Sequence, residues 1–233
     1  MAKYKLASPR MEVEDTWETV YEHLYKEGVT DGLPVVPPTE DRVERMVDAS
    51  GRRPDEVIAQ EIPPRRAPAT VEKIAVNAVM AGCRPEYMPV LVAAVDAMAD
   101  PLLNIYGVNT STSPCALLLV VTGPVRQKLD INCSYGCFGP GWRANATIGR
   151  AVRFIQLNIG GSIPGTVSKS TQGNPGRYTM CIGEFEERSP WEPLHVERGF
   201  KKEESAVTVF AAASTVSCLD HLSKSANSSL TMM

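Results

Sequence analysis

The sequence lacks the features that would mark a nucleic-acid-binding or membrane protein. Its 24 Lys and Arg residues are outnumbered by 27 Asp and Glu residues, and the net charge of -3 argues against a concentrated basic surface. No apolar run approaches the length that crosses a bilayer, and residues 1–10 lack the apolar core of a signal peptide. We therefore expect a cytoplasmic protein that binds neither nucleic acid nor membrane.

Cysteine and histidine are also scarce, and the familiar motifs built from them are missing. The six cysteines are expected to be reduced, because disulfide frameworks belong to short secreted chains. The three histidines show no HExxH or paired spacing, and no CxxC pair occurs. Walker A and GxGxxG loops are absent as well. The common zinc-protease, thioredoxin, P-loop and dinucleotide signatures are therefore excluded.

The chain does have enough apolar residues for a real core, at 43% of its composition. We expect one domain over residues 1–233, with an N-terminal helix and proline-rich connector in 1–38 and a weakly patterned tail in 214–233. Apolar spacing predicts the following helices: 12–26, 40–49, 70–81, 85–99 and one after Trp142. It predicts the following strands: 103–108, 115–121, 178–185 and 206–211. The fold class is α/β or α+β, with a single mixed sheet flanked by Ala/Val-rich helices.

The stretch richest in chemical groups is 132–161. Cys133 and Cys137 open it and are followed by a Gly-Pro-Gly hinge and a helical run. Thiols close to a helix N-terminus are candidates for a nucleophile or for metal ligands, because the helix dipole favours the thiolate. The alternative is that both are ordinary thiols.

The start of that helix combines flexible backbone with a cation. Gly139 and Gly141 would offer free N–H groups next to Arg143 and Asn145. This combination suits a carboxylate or phosphate held by a bidentate guanidinium contact. We therefore predict substrate binding here, with Arg143 as the anion clamp, although a tight turn that packs the helix on the sheet remains an alternative.

A polar loop rich in Ser and Thr leads into the apolar strand at 115–121. Thr110 and Ser111 in this loop are candidates for contacts with polar groups of a substrate. Such small hydroxyl residues are equally typical of a surface turn, because their side chains bond to nearby backbone.

Acidic residues and a histidine gather near the C-terminal part of the chain. Glu184 and Glu186 would point to the same side of a strand, and His195 follows shortly after. Glu184 or His195 is a candidate general acid or base. A transition metal is also considered as a cofactor, with Cys133, Cys137 and His195 as candidate ligands, although no familiar metal motif supports it.

Four segments of the chain carry a family resemblance: DGLPVVPPTEDRVERM, ATVEKIAVNAVMAGCRPEYMPV, FGPGWRANATIGRA and SPWEPLHVERGF. They are collinear between Thr16 and Phe210. In them the chain resembles a bacterial family that accompanies, or is fused to, UGSC-type selenoproteins. The Sec or Cys motif of those proteins is similar to that of the redox subunit of glycine reductases. Many members of that family have small residues where this chain has Cys133, Tyr135 and Cys137.

The resemblance implies that the chain works beside a thiol- or selenol-bearing subunit. The leading hypothesis is then a subunit of a hetero-oligomeric enzyme that acts on a small carboxylate-containing substrate by thiol-dependent redox or bond-cleavage chemistry. One alternative is a metal-dependent hydrolase or lyase with Cys, His and Glu ligands. Another is a noncatalytic scaffold for a UGSC-like partner.

Overall fold

The protein is described by a computed structural model that covers residues 3–216 and 220–232. In chain order, the α-helices of these residues are α1 (Trp17–Lys26), α2 (Glu40–Ser50), α3 (Val71–Ala81), α4 (Met88–Met98), α5 (Ile105–Thr110), α6 (Val125–Lys128), α7 (Arg143–Asn158), α8 (Leu194–Glu197) and α9 (Ala226–Met232). The strands are β1 (Val57–Ile62), β2 (Ala67–Thr70), β3 (Ala116–Thr122), β4 (Cys181–Gly183) and β5 (Ala206–Ala212). The short 3₁₀ turns are Pro85–Tyr87, Pro101–Leu103 and Pro175–Arg177.

The expected mixed sheet is present and has the strand order β4-β3-β5. The buried strand β3 runs parallel to β4 and antiparallel to β5. A separate antiparallel hairpin of β1 and β2 was not expected from the proline-rich segment that contains it. The α/β class is therefore confirmed, with the hairpin as an addition.

Helix α7 is the central element of the core. Its predicted apolar stripe, Ile148, Val152 and Ile155 with Ile159 just beyond the helix, is at most 3% exposed. The helix packs against α3, α4 and the two parallel strands. Helices α3 and α4 are rich in Ala and Val and largely buried, as their composition predicts.

Two strand predictions need correction. Residues 103–108 form a turn and helix α5 instead of a strand. The reason is local, since Asn104 adopts a left-handed conformation and its side chain accepts a hydrogen bond from the Gly107 N–H at 3.2 Å. The strand predicted at 178–185 shortens to Cys181–Gly183, because a 3₁₀ turn occupies the chain just before it.

The ends of the chain add little to the core. Helix α1 begins at Trp17, where the Thr16 side chain caps it. The tail contains the short helix α9, whose Leu230 is 69% exposed. Within the described ranges, none of the helices combines the length and the apolar character that a bilayer crossing requires.

Helix α7 and strand β4 approach each other closely at Gly149. A Cβ atom at this position would lie 2.4 Å from Thr179 Oγ1 and 2.6 Å from the Met180 backbone nitrogen. Backbone cannot yield as a flexible side chain can, so only glycine permits this contact. The packing of α7 against the residues that lead into β4 therefore depends on Gly149.

We expect Gly149→Ala to lower the free energy of unfolding by about 1–3 kcal/mol, because overpacking outweighs the gain in helix propensity. Urea denaturation followed by circular dichroism measures this. Gly107→Ala in α5 is the comparison variant, because its new Cβ would press on the Asn104 side chain and not on backbone. We expect it to cost less stability than Gly149→Ala. If Gly149→Ala is as stable as the wild-type chain or more stable, the close approach at Gly149 is contradicted.

Candidate functional site

The candidate site forms where the parallel strands β3 and β4 end side by side. Glu184 and Glu186 follow the carboxyl end of β4, and Gly123 follows the carboxyl end of β3. The Gly123 N–H donates to Glu186 Oε1 at 2.6 Å. A Cβ at Gly123 would lie 2.1 Å from the Glu204 carbonyl oxygen, so the turn requires glycine. Ligands of open α/β sheets commonly bind at this edge.

A buried arginine holds two carboxylates of the site. Arg126 on α6 is 4% exposed and donates from Nε to Glu186 Oε1 at 2.9 Å and from Nη2 to Glu187 Oε1 at 3.0 Å. Burial by itself would lower the pKa of Arg126, but the hydrogen bonds to Glu187 and Glu186 outweigh it and raise that pKa. The same guanidinium lowers the pKa of Glu187.

His195 lies on α8 and is 1% exposed. Neither of its ring nitrogens has a hydrogen-bond partner among the described residues. Glu184 orients the start of α8, because its carboxylate accepts from the Leu194 N–H at 3.0 and 3.2 Å. One ligand atom from each of Glu184, Glu186 and His195 lies within 4.8 Å of the others. This is a spacing that a single metal ion can bridge.

The charges of the site favour a cation. Glu184, Glu186 and Glu187 contribute three negative charges, and Arg126 contributes one positive charge. With a neutral imidazole, these residues sum to -2, which matches a divalent ion. The arrangement can therefore hold a metal and position a substrate oxygen against it.

Cys133 lies beside this site but outside the metal-binding group. Its sulfur accepts a hydrogen bond from Arg126 Nη1 at 3.6 Å, and its Cβ would lie 3.1 Å from a Cβ added to Gly183. Neither Cys133 nor Cys137 belongs to the group of three ligands. Of the ligands predicted from the sequence, His195 thus lies with Glu184 and Glu186, and metal binding by any of these residues stays a prediction.

The loop that carries both cysteines is fixed by Asn145. The buried Asn145 amide accepts from the Asn132 N–H at 2.8 Å and donates to the carbonyl oxygens of Asn132 and Cys137 at 2.9 and 3.3 Å. Its polar atoms are therefore used within the fold. Asn145, predicted to bind substrate, positions the cysteine loop.

The other groups predicted to clamp an anion also have partners in the fold. Arg143 donates from Nε and Nη2 to the Gly82 carbonyl oxygen at 3.1 and 2.8 Å, which caps the C-terminal end of α3. The Gly139 N–H donates to the Gly136 carbonyl oxygen at 2.7 Å. Gly141 lies next to them with a φ of 128°. The helix start thus joins α7 to α3 and to the preceding loop. The exposed Arg143 guanidinium keeps further N–H donors, so its role as an anion clamp stays a prediction.

Thr110 and Ser111 lie far from the acidic site, because they precede the amino end of β3. Thr110 donates to the Tyr106 carbonyl oxygen at 2.9 Å, and the Ser111 hydroxyl accepts from the Ser113 N–H at 2.9 Å. Both hydroxyls make the local backbone contacts of a turn. The structure therefore brings Glu184, His195 and Cys133 into one region and leaves these two residues outside it.

Sequence reasoning missed Arg126, although this residue joins Glu186, Glu187 and Cys133. Nothing around position 126 distinguishes it from a surface arginine on a short helix. Only the tertiary contact, with partners about sixty positions further along the chain, shows its role.

Comparison of the chain with protein-family models, curated proteins and solved structures finds no match. The relation to the family that accompanies UGSC-type selenoproteins therefore stays a prediction, carried by the four segments quoted above. Interpretation of the site accordingly rests on its own geometry, in which a buried imidazole and two carboxylates face one another beside a buried guanidinium.

We expect the cysteines to differ strongly in reactivity. Burial raises the pKa of Cys83 and of Cys181 to about 12, so at about pH 8 roughly one thiol in ten thousand is ionised at each. Cys133 and Cys137 are half-buried and reachable by reagent. Iodoacetamide labelling followed by peptide mass spectrometry should modify Cys133 and Cys137 well before Cys83 and Cys181. Comparable labelling rates at all four cysteines would contradict the burial of Cys83 and Cys181.

Proposed function

We propose that the chain is a subunit of a metal-dependent enzyme of the hydrolase or lyase type, with a divalent ion held by Glu184, Glu186 and His195. The observation that carries the proposal is the buried His195 ring, whose nitrogens both lack partners within the described residues while two carboxylates lie in reach. An unsatisfied buried polar group costs about 1–3 kcal/mol. Coordination of an ion by one ring nitrogen would offset that cost.

The donor atoms limit the choice of metal. Two carboxylate oxygens and one imidazole nitrogen suit Zn²⁺, Mn²⁺ or Fe²⁺ better than the soft ions that thiolates select. Three protein ligands also leave coordination positions open, as catalytic sites require and structural zinc sites do not. An ion held in this way would supply a Lewis acid that polarises a substrate oxygen.

The surrounding residues are suited to holding Glu186 as a ligand. The Gly123 N–H and Arg126 both donate to Oε1, while no donor contacts Oε2 in the part of the chain that the structure describes. Such outer partners fix the direction in which a ligating carboxylate points. Arg126 also offsets part of the negative charge, so the carboxylates of the metal-free site repel one another less.

A small carboxylate-containing substrate and a second, UGSC-like subunit remain part of the proposal. Exposed aromatic side chains on the loops near the site support a binding surface there. Tyr135 is 92% exposed, Phe138 51% and Trp191 80%. Aromatic residues are enriched at protein interfaces, because they bury a large area with few rotatable bonds. We infer that these loops contact the partner or the substrate.

We expect the metal-stripped wild-type chain to bind Zn²⁺ or Mn²⁺ with one-to-one stoichiometry in isothermal titration calorimetry. His195→Ala should weaken that binding by more than about 100-fold. Loss of a residue that only supports a metal ligand already lowers metal affinity by about 10–100-fold. The matched control is His23→Ala, since the His23 ring contacts the Met11 sulfur at 3.1 Å, away from the acidic site. That control should bind as the wild type does.

Circular dichroism distinguishes a lost ligand from a lost fold, and Glu186→Gln provides a second variant that keeps an acceptor for the Gly123 N–H. Weaker binding in both folded variants supports the proposal. Wild-type affinity in folded His195→Ala, or no binding by the wild-type chain, would refute it.

Thiol chemistry is the second candidate function, favoured by the 3.6 Å hydrogen bond from Arg126 to Cys133. The two candidates differ in what the purified protein contains and how it reacts. Stoichiometric, rapid alkylation of Cys133 in protein that binds no metal would favour a thiol nucleophile. Slow alkylation of Cys133 in protein that binds no metal would instead favour the role of a noncatalytic scaffold.

A further inference from the structure

A second concave region lies at the other end of the sheet. It is a narrow cavity of about 250 Å³, counting the space at its mouth. Its wall includes Cys115, just before β3, together with Gly149 and Arg153 of α7 and Gly176 and Arg177 of a 3₁₀ turn. Both arginines therefore border the same space.

Both guanidiniums are only partly satisfied by the fold. Arg153 donates to the Ser162 hydroxyl and carbonyl oxygens at 3.4 and 3.0 Å, and Arg177 donates to the Ser168 hydroxyl at 2.9 Å. A guanidinium carries five N–H donors, so most of these donors remain available. Within residues 3–216 and 220–232, neither arginine forms an ion pair with a carboxylate.

The carboxylate of Asp31, whose charge acts on Arg153, already pairs with Arg150. Asp31 accepts from Arg150 Nε at 2.7 Å and from Arg150 Nη2 at 2.8 Å. Burial, together with the neighbouring charge of Arg177, lowers the pKa of Arg153 to about 10. Burial likewise lowers the pKa of Arg177. Two like charges therefore share a partly dry space without a counterion from the fold.

From this cavity and its two arginines we propose a binding site for a small anion, a carboxylate or an inorganic oxyanion. Guanidinium groups match both ligands in shape and offer paired donors, and an anion between them would relieve their mutual repulsion. The enclosed part of the cavity holds about one water molecule, so an anion would bind at its mouth, with its oxygen atoms directed at the two guanidiniums.

This anion site is separate from the proposed metal site. Cys115 precedes the first residue of β3, whereas Gly123 follows the last one. At about 3.3 Å per residue, the strand separates the two ends by about 25 Å. The inference thus goes beyond the proposed function and stands whether or not the acidic site binds metal.

Cys115 provides a built-in reporter, because it is half-buried and lines the cavity. The full chain is labelled at low salt with anionic iodoacetate and, separately, with neutral iodoacetamide, and rates at each cysteine are read by peptide mass spectrometry. The ratio of the two rates at one thiol cancels the intrinsic reactivity of that thiol. We expect this ratio to be at least about tenfold higher at Cys115 than at Cys137, because charged clefts concentrate counterions by that factor or more.

Arg153→Gln and Arg177→Gln should each lower the Cys115 ratio towards the Cys137 value. Arg198→Gln, which changes an exposed arginine by the same substitution, should leave it unchanged. Two independent variants guard against a folding defect in one, and circular dichroism identifies such a defect. Equal ratios at Cys115 and Cys137 in the wild-type chain, or a Cys115 ratio insensitive to both arginines, would overturn the proposal.

Protection experiments distinguish the two classes of anion. Acetate and phosphate are each titrated against iodoacetamide labelling of Cys115 at constant ionic strength. Saturable protection by acetate that is lost in Arg177→Gln assigns a carboxylate ligand, and the same result with phosphate assigns an oxyanion. Failure of both to protect Cys115 would overturn the site.

Discussion

The close contact between α7 and β4 at Gly149 is the constraint on which the rest of the structure depends. It allows the short strand β4 to lie against the central helix, with Thr179 donating to the Asn145 and Ala146 carbonyl oxygens at 3.1 and 2.8 Å. Once β4 is fixed, its carboxyl end lies beside that of β3, and Glu184 and Glu186 lie beside the turn at Gly123. The acidic site is therefore a consequence of helix–sheet packing, although none of its ligands lies on α7.

Sequence reasoning succeeded where a pattern is repeated over several turns or strand residues. The apolar stripe of α7 and the continuous run of β3 predicted buried elements to within a residue or two of their bounds. It failed where one residue decides the conformation, as at Asn104, which starts a helix in a segment with strand-like composition. The hairpin β1–β2 was missed because prolines near its turn obscure the alternation of a strand.

The candidate site shows the same division between local and distant information. The short separation of Glu184 and His195 is visible in the sequence, whereas the pairing of Arg126 with Glu186 is visible only in the folded structure. The start of α7 shows how the fold uses polar groups that a ligand could also use. There Arg143 and Asn145 bond to neighbouring backbone, and the anion site expected at this helix start stays a prediction. Polar residues at a helix start must satisfy the fold before they can bind a ligand, and the sequence does not show which demand is met.

The two ends of β3 have opposite electrostatic character, and this limits how a single reaction could use both. Around Gly123 the side chains of the acidic site sum to -2, while Arg153 and Arg177 contribute +2 near Cys115. The nearer edges of the two sites are Leu117 in the cavity and Val121, whose carbonyl oxygen accepts from the Glu184 N–H. They are separated along β3 by about 13 Å, so a small carboxylate bound between the arginines does not contact an ion in the acidic site. In the acidic site Arg126 already pairs with Glu186 and Glu187, so it offers a further carboxylate little unpaired positive charge.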